Sequence, residues 1–286
     1  MLQRASAASL VLVLAASCFA AAASGTETSA PKAANTAATA SASTLPNLTA
    51  KEIVAKNVKA RGGLEAWRRV KTMVSIGHLE TGNPSAPRVP FVLQQARPNK
   101  TRFEVHVHEK TSVRVFNGVE GWKLRPSRGG GSEPVAYTAE EISAARDGTG
   151  IDGPLIDYQA KGIGVDFDGI DEVAGKKAYR LVVKLPSGVI RRWWIDAASF
   201  LDVRYERESH TATGQAATVT VSFANYKSVD GLQFPHSITT GQESGKEMES
   251  MMIEQIFLNR PVGDKVFAQP RAPTHIKSAN PLPSAH

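Results

Sequence analysis

Through most of the folded part of this chain, apolar and polar residues alternate one for one. From Thr101 to Glu109 the apolar Phe103, Val105 and Val107 oppose Arg102, Glu104, His106 and His108, and from Thr218 to Phe223 the residues Val219, Val221 and Phe223 oppose Thr218, Thr220 and Ser222. A strand sends successive side chains to opposite faces, so a period of two with one wet face predicts antiparallel strands. Asn117-Gly118, Ser187-Gly188, Asp230-Gly231 and the Thr213-Gly214 region punctuate the pattern at hairpin spacing. About ten to twelve strands are expected, with few helices to cover them, and so many strands must curl to hide their apolar face.

Two helical signals interrupt the alternation. Thr49-Ala50-Lys51-Glu52 is a capping box that opens a helix with Ile53, Val54 and Val58 as its stripe; Gly62-Gly63 breaks it, and Leu64 to Val70 resumes a turn or two. The same box recurs at Thr138-Ala139-Glu140-Glu141 and opens a shorter helix with Ile142 and Ala145 on one side, ending at Asp147-Gly148. This second helix falls between the two halves of the strand run, where it can serve as a lid. The expected fold is therefore mainly β (α+β), a strongly curved antiparallel sheet forming an incomplete β-barrel with an N-terminal helix and an inserted lid helix.

The first residues have a different character. Arg4 precedes an apolar stretch from Leu10 to Ala23 and then small residues, so residues 1–24 read as a secretory signal peptide, too short to span a bilayer. The single cysteine, Cys18, stands in Leu14-Ala15-Ala16-Ser17-Cys18, which is similar to a bacterial lipobox but has Ala15 where leucine is usual. Cleavage at the Ala21-x-Ala23 site gives a periplasmic protein, and lipidation of Cys18 is the alternative, leaving the protein anchored at the membrane. Residues 25–46, almost all Ala, Ser and Thr at first, read as a flexible linker; 47–270 form the folded domain and 271–286 a Pro- and Ala-rich disordered tail.

Composition narrows the chemistry. The chain has 286 residues, 42% hydrophobic, with one cysteine, so a disulfide framework and all-cysteine zinc sites are excluded. The net charge of +7 is dispersed, as in Arg204-Tyr205-Glu206-Arg207-Glu208, without a nucleic-acid-binding motif; contact with anionic lipid headgroups fits it better, giving peripheral membrane contact and no nucleic acid. Gly148-Thr149-Gly150-Ile151-Asp152-Gly153 follows a helix and runs into Pro154, the wrong setting for a dinucleotide fingerprint. His106 and His108 share a strand face that Arg102 and Glu104 mark as solvated, and Asp166, Asp168 and Asp171 suggest a hairpin turn rather than a calcium loop. No serine-hydrolase elbow or zinc-protease helix occurs, so neither a cofactor, a metal nor a catalytic residue is expected.

Several strings converge on one likeness. Arg97-Pro98-Asn99-Lys100, Val115-Phe116-Asn117-Gly118, Gly121-Trp122 and Arg125-Pro126, followed by Val173 to Leu181, Trp193-Trp194-Ile195-Asp196, Phe200-Leu201 and Tyr226-Lys227 through Asp230-Gly231 to Phe234-Pro235, resemble the LolA/LolB-like outer-membrane lipoprotein-sorting family from about Asn47 to Pro270. That resemblance implies a half-barrel whose apolar face, closed by helices, holds acyl chains, with the arginine matching Arg97 fastening the lid to backbone carbonyls. The function expected is a periplasmic carrier, a monomer holding acyl chains of a lipoprotein or lipid for outer-membrane sorting. An envelope sensor or scaffold that binds a protein partner is the alternative, and an acyl-ester hydrolase a third. Candidate lining residues are Phe91, Leu93, Phe103, Trp122, Leu124, Trp194, Phe223, Met251, Ile253 and Phe257, with Arg97 and Ile142 as lid or gate; for each lining residue taken singly, plain core packing is the favoured reading.

Overall fold

A computed structural model describes residues 45–82, 85–107, 110–126, 133–148, 150–210, 216–242 and 249–271. Cys18, His108, the signal and linker expectations, the Thr213-Gly214 turn and most of the C-terminal tail lie outside these residues. The fold is mainly β: a thirteen-stranded antiparallel sheet that does not close, with three α-helices among the described residues, α1 (Ala50–Ala60), α2 (Leu64–Arg69) and α3 (Ala139–Arg146). The strand beyond the expected twelve includes a two-residue piece, Val135–Ala136, too short to show an alternating pattern. The chain divides into two compact units, one of Met1–Trp67 with Pro154–Glu249 and one of Arg68–Gly153 with Ser250–His286.

The second of these units contains strands β1 (Thr72–Glu80), β2 (Arg88–Ala96), β3 (Lys100–Val107), β4 (Lys110–Phe116), β5 (Gly121–Leu124), β6 (Val135–Ala136) and β13 (Glu249–Leu258), hydrogen-bonded in the order β6-β5-β4-β3-β2-β1-β13. Loops between neighbours are short, so each strand returns beside its predecessor. Asn117, at the β4–β5 corner, accepts the amides of Val119 and Glu120 at 2.9 and 2.8 Å through its side chain, which is how an Asx turn replaces ladder hydrogen bonds. The register of β1 slips against β13 between Ile76 and Gly77. A Cβ at Gly77 would lie 1.9 Å from the Met252 carbonyl oxygen, so only glycine allows the two backbones to come this close.

The first unit holds α1 (Ala50–Ala60) and strands β7 (Gly164–Val173), β8 (Lys176–Lys184), β9 (Ile190–Asp196), β10 (Asp202–His210), β11 (Ala216–Val229) and β12 (Leu232–Gln242), in the order β12-β11-β10-β9-β8-β7. Thr49 caps α1 as expected: its hydroxyl accepts the Glu52 amide, and Glu52 accepts the Thr49 amide at 2.8 Å. Ile53 and Val54 of this helix, with Leu155 and Ile163, bury the apolar face formed by Tyr179, Leu181, Val183, Trp193 and Ile195. The β11–β12 turn places Asp230 and Gly231 at φ of 50° and 81°, the left-handed pair that a tight hairpin needs. One expectation is corrected. Asp166, Asp168 and Asp171 do not form a turn but lie within β7, whose register slips between Phe167 and Gly169; Lys184 takes Asp166 and Arg180 takes the other two.

The helix is tied to the sheet by a buried polar node. Asp202 accepts the Trp193 indole N–H at 2.6 Å and lies 3.5 Å from the Arg61 guanidinium, while its backbone carbonyl accepts the Tyr226 hydroxyl at 2.9 Å. Burial pushes the Tyr226 hydroxyl pKa well up, with Asp202 adding to the effect. Arg61 in turn stacks on the ring of Trp67, its carbonyl accepts the Trp67 indole at 3.0 Å, and Asn57 donates to the Phe200 carbonyl at 2.8 Å. Removing the acid would leave a buried cation uncompensated. Asp202→Ala is therefore expected to lower unfolding free energy by about 3–5 kcal/mol in urea titrations, with Asp202→Asn costing less because it keeps an acceptor for Trp193.

Candidate functional site

Strand register assigns every side chain of the second unit to a face, because directly opposed residues point the same way. On one face, Ile253, Gly77, Phe91 and Val105 form a row across β13, β1, β2 and β3; Ile256, Ser75, Leu93, Phe103, Arg114 and Lys123 form the next; Met251, Leu79 and Val89 form another. Phe91, Phe103, Leu79, Val89 and Met251 are buried, and the Phe91 and Phe103 rings lie 5.7 Å apart. Five of the expected lining residues, Phe91, Leu93, Phe103, Met251 and Ile253, thus share one apolar face.

Three others point to the opposite face. Trp122 and Leu124 oppose Val115 and Val113, and Phe257 opposes Val74, which sets all three on the reverse face. There Val113, Val115 and Leu124, with Trp122 beside them, pack against Phe267 of the short 3-10 helix Asp264–Phe267; Phe257 lies beneath the Arg260 guanidinium. Apolar alternation alone could not choose the face here, because the large apolar groups of β4 and β5 lie mostly on the reverse face, where Phe267 covers them.

The segment from Tyr137 to Asp152 crosses the first of these faces and is held at its rim by polar side chains. It contains α3 (Ala139–Arg146), capped by Thr138 through the expected box. Glu141 accepts Lys123 Nζ at 2.8 Å and Arg114 Nη2 at 3.2 Å, both from the apolar face. Tyr137 lies over Gly121, where a Cβ would come within 2.1 Å of the tyrosine ring, and Arg114 stacks on that ring. At the far end Asn99 donates to the carbonyls of Ala145 and Arg146 at 3.1 and 3.0 Å, Gln95 donates to the Gly150 carbonyl at 3.3 Å, and Arg97 pairs with the buried Asp152 at 2.6 Å. Arg97 also donates through Nε to the Val70 carbonyl at 2.7 Å. Asn99 and Gln95 thus reach backbone carbonyls of this segment, and Arg97 reaches its Asp152 carboxylate. Ile142 is half-buried on α3, beside buried Ala145.

Sequence reasoning missed the Glu141 clasp, although its signal was present: the residue that closes a capping box is a carboxylate with acceptor capacity to spare. Burial alone would push its pKa up; Lys123, the Thr138 amide and Arg114 outweigh that and hold it below the usual glutamate value.

In the first unit, Phe223 shares its face with Tyr205 and Trp193: the Trp193 and Tyr205 rings stack at 4.7 Å, and Phe223 lies 5.9 Å from each. Trp194, placed among the lining residues from sequence, is turned the other way. Its indole donates to Asp171 at 2.7 Å, Arg204 stacks on it, and that indole bond together with Arg180 holds Asp171 below the usual aspartate pKa despite burial. In a pair of adjacent tryptophans only one can face the core, and the alternation of β9 selects Trp193.

His106 is bonded to Thr111 at 3.0 Å, and among the described residues no group of three histidine, cysteine or acidic side chains could hold a metal ion. No described helix is long and apolar enough to cross a membrane.

No family model matches the sequence, and no curated protein does. Solved structures do match in fold. A LolA superfamily protein from Nitrosomonas europaea aligns with a TM-score of 0.51 at 15% identity over 78% of this chain and 98% of its own. A domain from Vibrio parahaemolyticus named for outer membrane lipoprotein sorting aligns at 0.50 and 11% identity, over 76% and 94%. A DUF1329 family protein from Desulfovibrio piger gives 0.50 and 10%, over 77% and 97%. The chain has a LolA-like fold.

The clasp has a pH signature. A carboxyl whose pKa is lowered in the folded state contributes stability above its unfolded pKa and loses it as pH falls through the folded value. Amide exchange in 138–148 is expected to accelerate below the ordinary glutamate range, about pH 4.3. Glu141→Gln should show accelerated exchange there already at pH 7.

Proposed function

We propose that the protein binds the acyl chains of a lipid or lipoprotein on the covered apolar faces of its sheet and acts as a carrier in the envelope of a two-membrane bacterium, reached through the signal peptide read from residues 1–24. The observation that carries this reading is the way the second unit's apolar face is covered. Its lid is fastened at the rim by Glu141, Asn99, Gln95 and the Arg97–Asp152 pair, polar contacts that water can replace when the lid lifts.

Magnitudes favour a ligand-driven opening. On the order of six rim hydrogen bonds, at about 0.5–1.5 kcal/mol net each, put release at roughly 3–9 kcal/mol. A chain of about sixteen carbons offers ~0.8 kcal/mol for each buried CH₂, roughly 12 kcal/mol in total. A single acyl chain can therefore offset the cost of lifting the lid, whereas a short apolar fragment cannot. The ligand shifts the population toward the open state, and the rim contacts set how readily it is passed on. Binding and release of this kind require no catalytic residue. The fold match to a domain named for lipoprotein sorting agrees with the reading.

The test is native mass spectrometry with lipid extraction on protein purified without detergent from a two-membrane host. An added mass matching acyl lipid or lipoprotein supports the proposal; an apo mass that also refuses added acylated peptide overturns it and turns attention to a protein partner captured without lipid. Arg97→Leu removes the Arg97–Asp152 pair and is expected to speed ligand transfer to an acceptor several-fold, with Arg97→Lys intermediate. Transfer rates equal to the parent protein would remove Arg97 from the gate.

A further inference from the structure

The apolar face of the first unit carries two cations that its architecture does not use. Arg191 on β9 and Arg207 on β10 are directly opposed in register. They form one row with Val183 and Val219, next to the row of Leu181, Trp193, Tyr205 and Val221. Both guanidinium groups converge on a single tyrosine: Arg191 stands over the Tyr205 ring at 5.7 Å, and Arg207 donates a hydrogen bond to the Tyr205 hydroxyl. Both residues are half-buried, and the Arg191 Nε is buried without a hydrogen-bond partner.

No carboxylate among the described residues pairs with either arginine. The acids of β10 alternate away: Glu206 opposes Arg192 on the reverse face and is taken by Arg204, and Glu208 opposes Thr218. Asp202, which does reach this aromatic cluster, is occupied by Trp193 and Arg61. Like charges directly opposed across two strands are destabilising, and burial, with Arg191 adding to it, pushes the Arg207 pKa down. A protein retains such a pair at a cost in stability, and the cost is relieved when a shared anion is bound.

We infer that Arg191 and Arg207 bind the anionic head of an amphiphile, a phosphate or a carboxylate, whose apolar chain lies along Tyr205 and Phe223. Guanidinium forks match the oxygens of such heads, and the aromatic surface starts one strand row away from them. The chain half of this inference rests on the acyl-binding proposal above, while the head half stands on the arginine pair.

Calorimetric titration of the full chain with dodecyl phosphate, dodecyl maltoside and inorganic phosphate, below micellar concentration, separates the two. The expected result is dodecyl phosphate binding about 10- to 100-fold tighter than the maltoside, the range a single charge-assisted hydrogen bond supplies, with that preference lost in R191Q/R207Q and maltoside affinity unchanged. Equal affinity for both amphiphiles in both proteins overturns the head site and leaves acyl binding standing. Phosphate binding that depends on the arginines, with no gain from the chain, keeps the head site and overturns the acyl proposal. No binding of any probe overturns both. Folding is checked on Arg207→Gln alone, which is expected to melt at or above the parent temperature without ligand and to lose the stabilisation that dodecyl phosphate gives the parent; a markedly lower melting temperature would assign the pair to structure instead.

Discussion

Apolar sheet faces have to be kept from water by segments that have no core of their own. A strand pair contributes one such face for every few residues of sequence, and among the described residues thirteen strands with three helices leave far more apolar sheet than helix to cover it. In the first unit α1 and the stretch around Leu155 and Ile163 meet this need with large buried side chains. In the second, the cover from Tyr137 to Asp152 is fixed through its edges, by charges and carbonyls, as well as by the apolar residues beneath. That difference in attachment follows from what each cover offers the sheet: α1 brings Ile53 and Val54, whereas α3, Ala139–Arg146, is mostly small or charged.

The two attachments differ in how they fail. Loss of an apolar cover exposes large side chains and leaves nothing to replace the lost packing, so α1 is locked further by the Arg61–Asp202–Trp193 node. A rim of hydrogen bonds opens at modest cost because water satisfies the freed groups. A cover attached in this second way is one that a long apolar ligand can lift at modest cost. The arginines of the first unit follow the same logic in reverse, being charges held on an apolar face at the expense of stability, where an external anion can neutralise them.

Much of the architecture was legible from residue order. Both capping boxes, at Thr49 and Thr138, mark the true helix starts, because a cap is satisfied within four residues and does not depend on distant chain. The Asn117-Gly118, Ser187-Gly188 and Asp230-Gly231 corners join successive strands for the same reason. Alternation alone puts Phe91, Leu93 and Phe103 on one face, with Leu93 directly opposite Phe103 across β2 and β3, but it does not tell that Trp122, Leu124 and Phe257 lie on the reverse face or that Trp194 turns away from Trp193. At these positions the reverse face is itself covered or stacked, by Phe267, by Arg260 or by Arg204, so a large apolar residue does not by itself mark one side of the sheet.

What the sequence determined by itself is local: period-two strands, capped helices, hairpin turns and a dispersed excess of positive charge. Which face each strand shows to which neighbour was decided only by the tertiary structure, through register slips such as that between Ile76 and Gly77, a residue whose missing Cβ lets Met252 approach. The clasp at Glu141 and the opposed pair of Arg191 and Arg207 belong to the same category. Their partners lie on other strands, and a shift of one residue in pairing would have sent each of these side chains to the other face.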